Sequence, residues 1–245
     1  MSEKSVKIMG VRIDKVNMED AFNKFLSLMN REKTAAIYTP NTEMVMLARS
    51  DQSFKDVLLR GDLIIPDGIG LIHASRIHKL GLPERVTGYD LMMRVLKYCN
   101  TTKKSIYMVG AKPGVAEDAC KRIQETFPDI VIAGSQHGYF DPSEELKVID
   151  RINDVKPDVL FVGFGAPKQE IWIDTHRKIL NTHVAMGIGG SIDVWAGTVK
   201  RAPKIFQKLG VEWLYRLMKE PHRLGRMMAL PHFLFKVFIT RDISK

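Results

Sequence analysis

Leu63-Ile64-Ile65-Pro66-Asp67-Gly68-Ile69-Gly70 is a short aliphatic run that stops at a carboxylate and two glycines. The run reads as a buried strand, and residues 71–77 beyond it have helical character. In open α/β sheets ligands sit at the carboxyl ends of the strands, where glycine lets the backbone come close to them. Asp67 therefore falls where a reacting group belongs. The competing role for the same side chain is to cap the helix that follows.

Other strands end in the same style. Residues 34–38 read as a strand closing on Thr39-Pro40-Asn41, and a helix follows through Val45, Leu47 and Ala48. Upstream, residues 6–13 alternate like an opening strand or hairpin. A helical pattern over 18–29 follows, with Asn17 as its cap. From Ser105 the rhythm is regular. Strands over 106–109, 130–133, 159–162 and 184–186 are each followed by a helix, the second of these starting at Ser143. Four βα units of roughly 25 to 30 residues predict a parallel sheet with helices on both faces. The expected fold class is α/β: a Rossmann-like parallel sheet with flanking helices plus a C-terminal helical appendage. The expected division is a catalytic body over 1–197 and a basic amphipathic appendage over 198–245. Within the body, about 1–100 is read as the acceptor and catalytic part and about 104–197 as the nucleotide-binding part.

Charge sharpens that division. The chain has 245 residues and a net charge of +9. Residues 200–245 hold eleven Lys or Arg against three acids, while the rest is nearly balanced at twenty-six against twenty-five. A neutral body with a basic tail points to an anionic partner at one end. The tail mixes Met, Phe and basic residues, with Pro221 and Pro231 interrupting it, and has no apolar span of the roughly 20 residues needed to cross a bilayer. It suits a segment lying on a membrane surface. Cys99 and Cys120 lack CxxC spacing, and the seven histidines show no HExxH or HxH pairing, so no metal and no cofactor are expected. Met1-Ser2-Glu3-Lys4-Ser5 lacks the apolar core of a signal peptide, so the expected location is cytoplasmic, peripheral on the inner face of the membrane. No RNA- or DNA-binding motif accompanies the basic tail, so no nucleic-acid partner is expected. The absence of GxGxxG and its ribose-binding acid argues against a nicotinamide-dependent dehydrogenase.

The strand ends carry the candidate chemistry. Gly110-Ala111-Lys112-Pro113-Gly114, Gly163-Phe164-Gly165 and Gly187-Ile188-Gly189-Gly190 each follow a strand. Three glycine-rich ends in one sheet imply a large ligand hugging the backbone, such as a nucleotide. Tyr139 is placed to stack on a base, and Asp193 to accept from ribose hydroxyls or a base edge, or to cap. Gln169, in the first turn of its helix, is a donor for a phosphate or sugar oxygen. Thr39 and Asn41 offer neutral groups suited to sugar hydroxyls. Arg85, Arg216, Arg223 and Arg226 are candidate diphosphate ligands, because guanidinium pairs with phosphate through planar donors. Together these parts suit transfer of a sugar from a nucleotide onto a lipid-linked acceptor.

Thr39-Pro40-Asn41, Asp67-Gly68-x-Gly70, Pro83-Glu84-Arg85-x-Thr87-Gly88-x-Asp90, Gly163-x-Gly165-x-Pro167-x-Gln169-Glu170, Gly187-x-Gly189-Gly190-x-x-Asp193 and Arg201-Ala202-Pro203 resemble the motifs of the WecG/TagA/CpsF glycosyltransferases. Gly210-x-Glu212-Trp213-x-x-Arg216-Leu217-x-x-Glu220-Pro221-x-Arg223 continues the likeness, which covers about 200 residues in consistent order. The resemblance is strongest to the branch of the family in wall teichoic acid synthesis. It implies the GT-E type of fold and an inverting, metal-independent transferase. By this likeness the enzyme moves N-acetylmannosamine from UDP to the 4-hydroxyl of N-acetylglucosamine on undecaprenyl diphosphate; other relatives use N-acetylmannosaminuronic acid. It also implies Asp67 as general base, with Thr39, Asn41 and Gln169 positioning the sugars. Arg85 and the tail arginines would hold diphosphates, and a homo-oligomer is possible.

Overall fold

The computed structural model describes residues 4–208, 210–219, 225, 228–240 and 243. The chain opens on a hairpin of β1 (Ser5–Ile8) and β2 (Val11–Asp14), with Ile8 opposite Val11. Met9 and Gly10 both have left-handed φ, 50° and 79°, the two-residue turn whose twist matches that of the strands. Helix α1 (Met18–Leu28) begins with a reciprocal cap. Asn17 accepts from the Asp20 amide, and Asp20 accepts from the Asn17 amide.

The chain then builds β3 (Ala35–Tyr38), α2 (Thr42–Ser50), α3 (Gln52–Leu59), β4 (Leu63–Ile64), α4 (Ile69–Ile77) and α5 (Gly88–Thr102). Four βα units follow: β5 (Ser105–Gly110) with α6 (Val115–Thr126), β6 (Val131–Gln136) with α7 (Glu145–Val155), β7 (Val159–Gly163) with α8 (Lys168–His176), and β8 (Val184–Gly187) with α9 (Ser191–Ala196). Among the described residues β3 to β8 form one parallel sheet in the order β4-β3-β8-β7-β5-β6. Because β3 pairs with β8, residues before and after 104 share that sheet.

The inner strands β3, β7 and β8 are buried along their whole length because helices cover both faces, whereas the edge strand β6 is only half-buried and ends in Gly134-Ser135-Gln136. Ile106 and Met108 point to the face packed by α1, α5, α6 and α9, while Tyr107 and Val109 point to the face packed by α2, α3, α4, α7 and α8. Three local expectations shift. The strand at 63–65 is two residues long, because Pro66 has no N–H to extend the ladder at this edge. The strand expected over 130–133 runs instead along β5 from Val131 to Gln136. The helix expected from Ser143 opens with a 3-10 turn, Pro142–Glu144, capped by Asp141.

Beyond the body lie α10 (Lys204–Lys208), α11 (Glu212–Lys219) and α12 (Ala229–Ile239). Helix α12 packs on α2 and α4 and buries Phe233 and Val237 completely. His78 Nε2 lies 2.9 Å from the Val237 carbonyl, and the Met9 amide donates to the Ile243 carbonyl at 2.5 Å. Pro231 does not break this helix. It sits in the first turn, where no intrahelical N–H is required. The other face of α12 leaves Phe235 and Phe238 61% and 71% exposed. Among the described residues no helix is long and apolar enough to cross a membrane.

Candidate active site

The carboxyl ends of the parallel strands open into one cleft of about 1250 Å³. Thr39 and Asn41 enter it after β3, Asp67 after β4, Tyr139 after β6, Gly163 at the end of β7 and Gly165 just beyond it, and Gly189 and Asp193 after β8. Arg85 and Gln169 line it as well. Residues spread over more than 150 positions thus meet because parallel strands all deliver their next residue to the same edge.

Asp67 does not cap α4. The cap position is Gly68 and carries no side-chain bond. Instead Asp67 Oδ2 accepts from the Gly88 amide at 3.1 Å, at the electropositive start of α5. Arg85 secures the loop from the other side. Its Nε donates to the Asp67 carbonyl at 2.6 Å, and its Nη2 stands 3.6 Å from Oδ1 of the Asp67 carboxylate. That is near enough to hold the carboxylate electrostatically and too far for a good hydrogen bond. The same Nη2 donates to Glu212 of α11 at 2.5 Å. Glu212 also faces Arg201, which pairs with Asp90 at 2.8 Å and lies 4.2 Å over the ring of Tyr89. Charges therefore run from Asp67 through Arg85, Glu212 and Arg201 to Asp90, joining the appendage to the body.

Asn41 has a structural duty at the same place. Its Oδ1 accepts from the Met44 amide and caps α2. Gln169 is buried, and its Oε1 accepts from the Gly165 and Gly189 amides at 3.2 and 3.0 Å. Its Nε2 donates to Glu170 Oε1 at 2.7 Å. Asp193 occupies the first turn of α9.

Two of the expected nucleotide-binding glycines lie one layer below the cleft. Gly110 has a φ of 145°, and a Cβ there would come within 2.5 Å of the Gly163 carbonyl oxygen. Glycine is needed so that β5 and β7 can end side by side. Gly187 likewise faces the side chains of Gln169 and Glu170. Arg223 and Arg226 lie outside the described residues; Arg216 falls in α11, with its side chain outside them. Arg201 and Glu212 stood within recognised motifs without a role. Their only sequence signal was opposite charge at positions far from Asp90 and Arg85.

The Glycosyl transferase WecG/TagA/CpsF family matches residues 6–244. The chain belongs to this family. It is 37% identical over 234 residues to proteins of Staphylococcus aureus strains MW2, MRSA252 and NCTC 8325 / PS 47. The match covers 95% of this chain and 91% of each relative, and each of them is named N-acetylglucosaminyldiphosphoundecaprenol N-acetyl-beta-D-mannosaminyltransferase. In this glycosyltransferase the loops carrying Gly165 and Gly189 and the cations Arg85, Lys112, Lys168 and Arg201 line the same cleft.

Proposed function

We propose that the protein transfers N-acetylmannosamine from UDP to the 4-hydroxyl of N-acetylglucosamine on undecaprenyl diphosphate. The product is the linkage disaccharide of wall teichoic acid. The observation that carries this reading is the Asp67 carboxylate, held by Gly88 and Arg85 at the cleft edge that also bears the glycine loops after β7 and β8. The full-length similarity to transferases of that name supports the choice of sugars.

In this reading the nucleotide lies over Gly163, Gly165 and Gly189, with Tyr139 beside the base and Asp193 beside the ribose. Asp67 takes the proton of the acceptor hydroxyl as its oxygen attacks the anomeric carbon. The bond from that carbon to the UDP oxygen breaks on the opposite face, so the configuration inverts. Negative charge grows on the leaving diphosphate and is offset by Arg85, by Lys112 and by the amides that open α6 and α8, without a metal ion. Thr39 and Asn41 orient sugar hydroxyls. Arg216, Arg223 and Arg226 hold the acceptor diphosphate, while the exposed face of α12 rests on the inner surface of the membrane.

The test is direct. The protein is incubated with UDP-N-acetylmannosamine, its uronic acid counterpart and other UDP-sugars, together with a prenyl-diphosphate-N-acetylglucosamine analogue and a chelator. Mass spectrometry should show addition of one N-acetylmannosamine. Addition of a different sugar, or dependence on a divalent ion, would overturn the corresponding part of the proposal.

A further inference from the structure

Glu170 is the most deeply buried acid on the cleft side of the sheet, 0% exposed, yet none of the chemistry above uses it. One of its oxygens accepts from Gln169 Nε2. The other, Oε2, is buried and has no hydrogen-bond partner among the described residues. We propose that Glu170 is a positioning residue of the donor site: through Gln169 it holds the loops after β7 and β8 in register, and its ionisation loosens them.

The geometry comes first. A carboxamide presents an acceptor at one end and donors at the other. Gln169 turns its oxygen to two backbone amides, Gly165 N and Gly189 N, which belong to different loops. A flipped carboxamide would set its NH2 against both N–H groups. The acceptor supplied by Glu170 on the opposite side selects the productive orientation. The contact is close: a Cβ on Gly187 would lie 2.8 Å from Gln169 Nε2 and 3.2 Å from Glu170 Oε1. Gly165 and Gly189 both have left-handed φ, 77° and 48°. The bridge thus ties together two turns whose backbone conformation only glycine adopts readily.

Protonation is the second element. A neutral carboxyl accepts from Gln169 through its carbonyl oxygen, whereas a carboxylate would leave a charged oxygen buried and unpaired, which is costly. Burial pushes the Glu170 pKa up to about 7, against the smaller lowering by the Gln169 hydrogen bond. Of the surrounding titratable groups, Tyr38, Arg60, Arg177 and His176 have other partners, His176 bonding the Trp172 carbonyl and facing Glu145 at 3.8 Å. Tyr38 of β3 donates to the Glu170 carbonyl at 3.4 Å, and burial raises its own pKa. Arg60, which closes α3, is held by Asp174, and Arg177 is held by Asp62. Lys168 and His176 stand at the two ends of α8, while β7 and β8 carry no titratable side chain. Ionisation would place a negative charge beneath the loops that, on the function proposed above, receive the UDP diphosphate.

The test uses the full chain and two variants, Glu170→Gln and Glu170→Met, whose folding is checked by thermal melting. Amide exchange at Gly165 and Gly189 is followed by NMR from pH 6 to 8.5, without ligand. UDP affinity is measured in parallel by calorimetry. Glu170→Met, lacking an acceptor for Gln169, should lose about tenfold in protection at both amides and in UDP affinity at every pH. In the unmodified protein both should decline as pH rises, after correction for the intrinsic exchange rate. Glu170→Gln should remain protected throughout, and it controls for titration of UDP itself. Unchanged Gly165 and Gly189 amides in Glu170→Met would overturn the positioning role. A decline with pH in Glu170→Gln that matches the unmodified protein would overturn the role of ionisation. Loss of amide protection without any UDP binding would support the positioning role and count against the donor reading of the cleft.

Discussion

Arg85 Nη2 donates to Glu212 Oε2 at 2.5 Å across 127 residues of chain. Both groups are mostly withdrawn from solvent, and the same Nη2 stands 3.6 Å from the Asp67 carboxylate. Glu212 thus keeps the guanidinium from closing fully on Asp67. Glu212→Gln should let Arg85 pair more tightly with Asp67 and lower kcat about tenfold, the scale of one charge-assisted hydrogen bond. Steady-state kinetics at saturating donor and acceptor would reveal it, and an unchanged kcat would show that the pair has no part in turnover.

Asp67→Asn should reduce transfer by about 10²- to 10⁴-fold, the range supplied by a general base. The amide oxygen can still accept from Gly88, so the loop should persist and UDP affinity should stay nearly unchanged. Calorimetry with UDP beside a transfer assay separates the two effects. Substantial remaining turnover removes Asp67 from the role of base.

Phe233 and Phe238 lie on one helix with opposite surroundings, 0% and 71% exposed. Phe233→Ala should lower stability by about 3–5 kcal/mol through lost burial and a cavity against α4. Phe235→Ser combined with Phe238→Ser should leave the melting temperature nearly unchanged while weakening binding to anionic lipid vesicles more than tenfold. Retained vesicle binding would show that another surface meets the membrane. A chain ending at Gly197 loses both Glu212 and the cover over α2 and α4. It should melt at lower temperature and fail to transfer sugar.

Glu170 also has a stability consequence with a definite sign. Its pKa in the folded protein, about 7, lies above the ordinary 4.5. Between these values the folded state holds more protons than the unfolded chain, so stability falls as pH rises from 4.5 to 7. The full difference corresponds to roughly 3 kcal/mol. The melting temperature of Glu170→Gln relative to the unmodified protein should therefore rise between pH 5 and pH 8. A constant gap would mean that the acid titrates normally.

Much of this site could be read along the chain because strand ends are local features. Asn17 was expected as a cap and is one. Asp67 was placed at a strand end, where either catalysis or capping was open, and the structure assigns the cap position to Gly68. Asn41, expected to serve sugar hydroxyls, also caps α2. Gln169, expected to serve a phosphate or sugar oxygen, lines the cleft, and its carboxamide also joins two loops and Glu170. The Gln169 bridge has no signature in composition or periodicity. A hydrogen bond between Gln169 and Gly189 depends on β7 and β8 being neighbours, which follows from strand order.

Alternation of apolar residues, glycine-bearing turns and the basic tail determined from the sequence alone that this is a parallel α/β sheet with a helical appendage and glycine-rich strand ends along one edge. These are short-range consequences of side-chain periodicity and backbone freedom. Only the tertiary structure decided that Arg85 meets Glu212, that Arg201 meets Asp90 and that Phe233 seals the gap between α2 and α4. Such partners are chosen by how the sheet and appendage pack, and the energy of a charge or an aromatic ring depends on what surrounds it rather than on what precedes it in the chain.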